Sequence, residues 1–263
     1  MRKQLGRAPR LTAESALHAE GHVRVAGVDE VGRGALGGPV SIGVVVVVPG
    51  LPRPPRGLRD SKLLTPLERE RLVPRIRSWV PEAAVGHASA AEIDAHGIIA
   101  ALRLAGHRAL AALPLPVDVV LLDGNHDYLT VLPPVLPTEP APLDVPPPWV
   151  RPAPDLPALV GAFPAVRTIV RADQTCASVA AASVLAKVTR DAMMVELAAE
   201  HGAYGWEGNK GYASPGHRAA LLTHGPCVQH RRSWRLAGGA FAPARSEGDG
   251  GLGQDEGMDG APV

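Results

Sequence analysis

The order of apolar and polar positions along the chain predicts an alternation of strands and helices. Five short apolar runs have the length of strands, at residues 23–28, 40–48, 83–87, 117–122 and 166–170. The second run contains five consecutive valines, Val44–Val48, which is typical of a fully buried strand. Because two strands come first and the others alternate with helices, we predict an α/β domain with a mixed central sheet flanked by helices.

Helix boundaries are indicated by capping residues. The segment Thr65-Pro66-Leu67-Glu68 combines an N-cap threonine, a first-turn proline and a capping-box glutamate, so a helix is predicted to begin there. We expect Pro74 to kink or shorten this helix. Helical patterning also covers Ile98–Ala112, and an alanine-rich helix is predicted over Thr175–Glu200, where small side chains permit close approach to a sheet. Ser214-Pro215 begins a last helix.

Three segments differ in composition from the rest of the chain. Residues 1–20 and 237–263 are predicted to be a flexible N-terminal segment and a disordered C-terminal tail. From Pro133 to Pro157, 11 of 25 residues are proline, which excludes a helix or a central strand. We therefore predict one domain over residues 21–236, with a proline-rich insertion at about 128–162.

Charge and composition narrow the function classes. The chain of 263 residues is 46% hydrophobic and carries a net charge of only +1, so any binding of nucleic acid depends on local basic clusters. His230-Arg231-Arg232 is the densest such cluster outside the N-terminus and a candidate for duplex contacts. The cysteines, Cys176 and Cys227, lack metal-ligand spacing, and we find no signal peptide or apolar run of membrane-spanning length. We expect a cytoplasmic monomer that does not bind membranes.

Acidic residues recur where the predicted strands end. Asp29 and Glu30 close the first strand, Asp123 closes the fourth, and Asp173 follows the fifth. Carboxylates at the ends of neighbouring strands converge at the place where α/β sheets bind ligands, and they must then share protons or hold cations. Two magnesium-type ions about 4 Å apart promote in-line phosphodiester hydrolysis. The spacing alone leaves open that all four are ordinary turn acids.

The glycines after the first strand have two interpretations. Neighbouring strand residues point to opposite faces, so Asp29 and Glu30 share one site only if the chain bends, which Gly32 and Gly34 allow. Residues 32–37 also match the dinucleotide-binding pattern G-x-G-x-x-G. That pattern requires a helix after the loop, whereas the valine-rich strand follows here, so we reject a dinucleotide site.

Six motifs, in sequence order, resemble those of the ribonuclease HII family. They are Ala26–Gly34, Asp60-Ser61-Lys62, Asp123-Gly124-Asn125, Ala181–Asp191, Lys210-Gly211-Tyr212 and His230–Trp234. The resemblance covers about residues 23–235 without the insertion. It implies a ribonuclease H-like fold and an endoribonuclease that hydrolyses the RNA strand of RNA–DNA hybrids. It also implies cleavage 5′ to ribonucleotides embedded in duplex DNA, leaving a 3′-hydroxyl and a 5′-phosphate.

The resemblance also implies residue roles. The catalytic carboxylates, which would bind Mn²⁺ or Mg²⁺, are Asp29, Glu30, Asp123 and Asp173. The residues implied to recognise the junction between a ribonucleotide and the next deoxyribonucleotide are Gly32, Arg33, Gly34 and Tyr212. At such a junction the 2′-hydroxyl distinguishes RNA from DNA. Further candidates for phosphate contacts are Lys62, Ser183 and Lys187.

Some residues in or beside these motifs are expected to be structural, or depart from the pattern of the family. Asp191 lies about 27 Å along the predicted helix from Asp173, at 1.5 Å per residue, so we predict a structural role for it. For Arg190 we consider a salt bridge or a phosphate contact and favour the structural role. Arg171-Ala172 stands where the family has lysine and glycine; arginine keeps the charge but changes the geometry. Asn209 replaces the family's histidine and cannot titrate.

Two other functions remain open. One is a ribonuclease H that requires longer hybrids, against which the junction residues Gly32, Arg33, Gly34 and Tyr212 argue. The other is a non-catalytic nucleic-acid-binding module, which would gain nothing from clustered carboxylates that repel phosphate. The sequence does not decide between Mg²⁺ and Mn²⁺.

Overall fold

A five-stranded sheet forms the centre of the protein in a computed structural model that describes residues 8–131, 154–159 and 161–236. The strands are β1 (Val25–Val31), β2 (Val40–Val47), β3 (Glu82–Ala88), β4 (Val119–Asp123) and β5 (Ala165–Ile169). They are ordered β3-β2-β1-β4-β5. β1 pairs antiparallel with β2 and parallel with β4, so the sheet is mixed. The α/β class and all five predicted strands are confirmed.

Helices cover both faces of this sheet. They are α1 (Thr12–Ala19), α2 (Pro66–Trp79), α3 (Ala90–His96), α4 (Ile98–Ala111), α5 (Ala172–Thr175), α6 (Ala177–Glu200), α7 (Trp206–Asn209) and α8 (Pro215–His224). Helices α2 and α6 share one core with Val25 and Leu121. Helix α4 shares the opposite core with Val28 and Leu122. Because strand residues alternate, the position of a residue along its strand determines which layer it faces.

The small residues of α6 bring this helix against the sheet, as predicted. A Cβ added to Gly27 of β1 would overlap Ser178, and one added to Gly43 of β2 would overlap the carbonyl of Ala182. Larger side chains at these contacts would separate helix and sheet. The close packing fixes the first turns of α6 beside the end of β1, where the acidic residues lie.

Capping chemistry sets the boundaries of α2 and α8. Thr65 and Glu68 form the expected capping box at the start of α2, and the Ser214 hydroxyl accepts a hydrogen bond from the N–H of His217 at the start of α8. The expectation that Pro74 shortens α2 is wrong, because the helix continues to Trp79. An interior proline loses one N–H bond and crowds the carbonyl four residues before it, and burial of Ile76 and Trp79 in the following turn offsets that cost.

Four helices were not predicted, namely α1, α3 and the four-residue helices α5 and α7. Residues 12–19 form α1, so the prediction of a flexible segment over residues 1–20 is wrong there. Helix α1 is held by buried Glu14, whose Oε1 accepts hydrogen bonds from the N–H and hydroxyl of Ser178 at the start of α6. A carboxylate is stabilised at a helix N-terminus. The short helix α3 begins with a second capping box, formed by Ser89 and Glu92.

Parts of the predicted organisation lie outside the described residues. These are residues 1–7, the tail from 237 onward, and residues 132–153 and 160 within the proline-rich segment. Within the described ranges, no helix is long and apolar enough to cross a membrane.

Candidate active site

The acidic residues of β1 lie at the carboxyl end of a regular strand. Pairing with β2 continues to Val31, opposite Ser41, so the expected bend at Asp29 and Glu30 is not found. The two side chains therefore leave the sheet on opposite faces. By this alternation Asp29 faces the layer of α6, and Glu30 faces the layer of α4.

Asp29 is a buried carboxylate with an unused oxygen. It is 2% exposed, and its Oδ1 accepts a hydrogen bond from the N–H of Glu30 at 2.8 Å. Its Oδ2 has no hydrogen-bond partner among the described residues. The pKa of Asp29 is raised from 3.8 to about 7, chiefly by burial and also by the charges of Asp123 and Glu30, against the opposing effects of Ser183 and Lys62.

Asp123 and Asp173 form a second pair at the same edge of the sheet. Asp123 Oδ1 accepts hydrogen bonds from the N–H groups of Ala172 at 2.7 Å and Asp173 at 3.4 Å, at the start of α5. Burial raises the pKa of Asp173 to about 6, followed by the effects of Asp123 and Asp60. Lys62, whose side chain is 71% exposed, places its Nζ 3.6 Å from Asp173 Oδ2. A basic group thus stands at the rim of the acidic cluster.

Glu30 has its own partners on the other face. Its Oε2 accepts a hydrogen bond from the Tyr128 hydroxyl at 3.1 Å, and its Oε1 lies 3.3 Å from a guanidinium nitrogen of Arg33. Glu30 still lies near enough to Asp29 to raise the pKa of that carboxyl. Asp29 and Glu30 therefore interact electrostatically although they lie on opposite faces of the strand end.

The chemistry of the carboxylates, but not their spacing in this structure, fits a hard divalent cation. Within the described ranges, no three acidic, histidine or cysteine side chains lie close enough together to hold a metal ion. The carboxylates do lie within mutual electrostatic range, and one buried oxygen of Asp29 is unpaired. Oxygen ligands of this charge suit Mg²⁺ or Mn²⁺, and a bound cation would favour the ionised forms of Asp29 and Asp173, whose raised pKa values otherwise delay the loss of their protons.

The glycine loop, residues 32–37 after β1, contacts the segment that carries Tyr212. Gly32 has a φ of +88°, and a Cβ there would overlap the Arg190 guanidinium, so this position requires glycine. The N–H of Leu36 donates to the carbonyl of Gly211 at 2.8 Å, which joins the two segments. Tyr212 is 37% exposed beside this junction.

The predicted phosphate contacts differ in accessibility. Lys62 is exposed, as a phosphate contact requires. Lys187 donates to Asp191 at 2.7 Å and places its Nζ 5.6 Å from the centre of the Tyr212 ring. Ser183 is fully buried, with its hydroxyl 2.8 Å from that of Ser61. That burial argues against a direct phosphate contact by Ser183.

The expected duplex contact of the basic cluster at 230–232 is wrong for two of its three residues. His230 and Arg231 are fully buried, whereas Arg232 is exposed. Arg231 donates to the carbonyls of Gly32 and Arg33 at 2.7 and 2.8 Å, and burial lowers its pKa to about 9. Arg231 therefore supports the glycine loop from inside the protein, and neither His230 nor Arg231 can reach a nucleic acid.

The residues expected to be structural make structural contacts. Asp191 pairs with Lys187 and Arg69. Arg190 is buried and donates to the carbonyls of Pro39, Gly37 and Lys210. The structural roles predicted for both are confirmed.

Asn209 has a clear local role despite its departure from the family pattern. Its side-chain amide donates to the carbonyl of Tyr204 at 2.7 Å, and its Oδ1 accepts from the N–H of Gly211 at 2.8 Å. Asn209 therefore shapes the turn that leads into Tyr212 without needing to titrate.

Two residues of the site were missed from the sequence. Asp60 is buried and raises the pKa of Asp173; its place in the motif Asp60-Ser61-Lys62 was the available signal. Tyr128 contacts Glu30 across 98 positions of sequence. No pattern along the chain indicates that second contact.

Comparisons with known proteins give a consistent result. A family model described as ribonuclease HII matches residues 26–137 and 155–237. Ribonuclease HII of Streptomyces avermitilis is 48% identical over 227 residues, covering 86% of this chain and 83% of that protein. The crystal structure of ribonuclease H2 from Pyrococcus horikoshii matches with a TM-score of 0.57 and 26% identity, over 81% of this chain and 95% of that one. The structure of Bst-RNase HIII in complex with Mn²⁺ is similar in fold, with a TM-score of 0.51 and 20% identity over 80% of this chain and 65% of that one.

Proposed function

Because the chain belongs to the ribonuclease HII family of metal-dependent ribonucleases, we propose that it cuts the RNA strand of RNA–DNA hybrids and cleaves 5′ to ribonucleotides embedded in duplex DNA. The observation that carries this proposal is the buried, half-unpaired carboxylate of Asp29 beside three further carboxylates. Such a cluster repels phosphate unless cations are bound, so it favours catalysis over mere binding.

The proposed metal ligands are the four carboxylates Asp29, Glu30, Asp123 and Asp173. Because β1 has no bend at Asp29 and Glu30, this assignment requires the Glu30 side chain to reach the site around the end of the strand, and its effect on the pKa of Asp29 supports that proximity. Two divalent ions, Mn²⁺ or Mg²⁺, would supply an activated water and stabilise the leaving oxygen. The raised pKa values of Asp29 and Asp173 support this assignment, because burial and, to a lesser extent, repulsion by Asp123 disfavour the ionised carboxylates, and a bound cation would offset both effects. Burial keeps competing water away from these side chains.

The remaining residues bind and orient the substrate. Exposed Lys62 offers a positive charge to a phosphate next to the acidic cluster. We assign Ser183 to support of Asp29, because it lowers the pKa of that carboxyl, and Ser61 to support of Ser183, because their hydroxyls lie 2.8 Å apart. In the cleavage, the bond between phosphorus and the 3′ oxygen breaks and water oxygen joins phosphorus. The products are a 3′-hydroxyl and a 5′-phosphate.

Recognition of the ribonucleotide is assigned to the glycine loop and Tyr212. Gly34 has open space where a Cβ would stand, so its backbone is free to approach a 2′-hydroxyl. The half-exposed ring of Tyr212 lies beside this loop and can stack beneath the neighbouring sugar. Arg190, 5.5 Å from the ring centre, helps hold the ring in place.

The proline-rich segment is proposed to be an insertion in a single domain over residues 21–236, acting as a monomer. Both of its ends contact α4: His107 lies 3.0 Å from the carbonyl oxygen of Leu129, and its ring stacks on Phe163 at 4.9 Å. The family match also omits residues 138–154. An insertion whose two ends both contact α4 can be accommodated without a change in the sheet.

The test compares an isosteric variant, Asp123→Asn, with the unchanged protein on a hybrid duplex. Cleavage should be abolished, while duplex binding measured in chelator should be retained or tightened because a repulsive charge is removed. Asp155→Asn, at an exposed position, is the matched control and should cleave normally. Full activity of Asp123→Asn would contradict the assignment.

A further inference from the structure

Tyr128 is a buried phenol placed shortly after β4. It is 1% exposed, and its hydroxyl donates to Glu30 Oε2 at 3.1 Å. A buried tyrosine hydroxyl needs a partner, and the partner here is one of the four proposed metal ligands. The contact joins two elements that are remote in sequence.

The backbone around Tyr128 is fixed by α4. Arg103 Nε donates to the carbonyl of Tyr128 at 3.1 Å, and His107 bonds to the carbonyl of Leu129 at 3.0 Å. The Asp127 carboxylate accepts from the N–H of Leu129 at 2.8 Å and closes a tight turn. The phenol hydroxyl is therefore held at a set position before any substrate arrives.

Glu30 depends on a hydrogen bond from a fixed side chain more than the other three carboxylates do. Strand alternation directs it to the α4 layer, where Tyr128 and Leu129 pack, while Asp29 faces α6. The other contact of Glu30, with Arg33, involves a side chain that is 48% exposed. Exposed pairs of this kind contribute little, so Tyr128 is the rigid support of this carboxylate.

We propose that Tyr128 is a positioning residue that presents the Glu30 carboxylate to a divalent cation at the sheet edge. The proposal rests on the metal role assigned to Glu30 above. Ligating carboxylates are commonly oriented by hydrogen bonds from outer residues, and loss of such a bond typically costs about 10- to 100-fold in metal affinity or activity.

The experiment uses Tyr128→Phe, which removes the hydroxyl alone. Titration calorimetry with Mn²⁺, without nucleic acid, should show a dissociation constant raised about 10-fold or more. Cleavage should fall at low Mn²⁺ and recover as the Mn²⁺ concentration rises. The control is Tyr204→Phe, which loses a bond to the Gly225 carbonyl in another part of the protein and should bind Mn²⁺ normally. Thermal unfolding checks that both variants are folded.

Glu30→Gln separates this proposal from the proposed function. Unchanged Mn²⁺ binding by Glu30→Gln would overturn the metal role of Glu30, and this inference with it. Weakened binding by Glu30→Gln together with unchanged or tighter binding by Tyr128→Phe would overturn the positioning role alone. In the double variant, Tyr128→Phe should add no loss beyond that of Glu30→Gln; an additive loss would also overturn it.

Discussion

Replacing Asp29 by asparagine should stabilise the metal-free protein at alkaline pH. The pKa of Asp29 is about 7 in the folded protein, chiefly because of burial, against an ordinary value of 3.8. Between these two values the folded protein keeps a proton that the unfolded chain has released. The folded state therefore loses stability as the pH rises through this window, and the loss is complete above pH 7.

The size of the effect follows from the two pKa values. Each unit of difference corresponds to about 1.4 kcal/mol, so ionised Asp29 destabilises the metal-free fold by up to about 4 kcal/mol at pH 8. About 2 kcal/mol of this should develop between pH 5 and pH 7. Asparagine keeps the shape of the side chain and has no proton to lose.

Urea unfolding in chelator at pH 5, 7 and 8 measures this difference. The free energy of unfolding of Asp29→Asn should exceed that of the unchanged protein by an amount that grows with pH and then levels off. Asp155→Asn, at an exposed position, should show no such trend. Equal pH dependence of the Asp29 variant and the unchanged protein would refute the reasoning about burial and charge.

Four further changes test the glycine loop, the proline-rich insertion and Tyr212. Gly32→Ala should lower the free energy of unfolding by at least about 2 kcal/mol, because it combines a positive φ with overlap on Arg190. Gly34→Ala should keep the free energy of unfolding of the unchanged protein and lose cleavage at single ribonucleotides. Chemical denaturation and gel assays of cleavage distinguish the two variants. Deleting Pro133–Pro157 should leave catalysis intact, and loss of activity in a folded deletion protein would contradict this. Tyr212→Ala should reduce junction cleavage more than 10-fold with little change in melting temperature, consistent with a stacking contact of about 1–3 kcal/mol.

Much of the fold was predictable because its determinants are local. The five strands are apolar runs of strand length, and the capping box at Thr65 and Glu68 marks the start of α2 whatever the tertiary context. Helix α1 was not predictable, because its burial depends on Glu14 contacting Ser178, 164 positions away. A polar sequence at a chain end otherwise resembles a flexible segment.

The candidate site was predictable in its carboxylates and less so in its surroundings. Asp29 and Asp123 lie near the carboxyl ends of β1 and β4, and neighbouring parallel strands bring their ends together. Arg231 was misassigned because a charged residue in a basic run normally faces solvent. Here it is satisfied by backbone carbonyls such as that of Gly32, a partnership that no sequence pattern reveals.

The most direct test of the account is cleavage of an end-labelled DNA duplex that contains one ribonucleotide, in Mg²⁺, in Mn²⁺ and in chelator. The account predicts a single metal-dependent cut immediately 5′ to the ribonucleotide, with a 5′-phosphate on the downstream product. Cleavage of long hybrids alone would remove the junction specificity assigned to the glycine loop and Tyr212. Failure of the folded protein to cut either substrate would contradict the account at its centre.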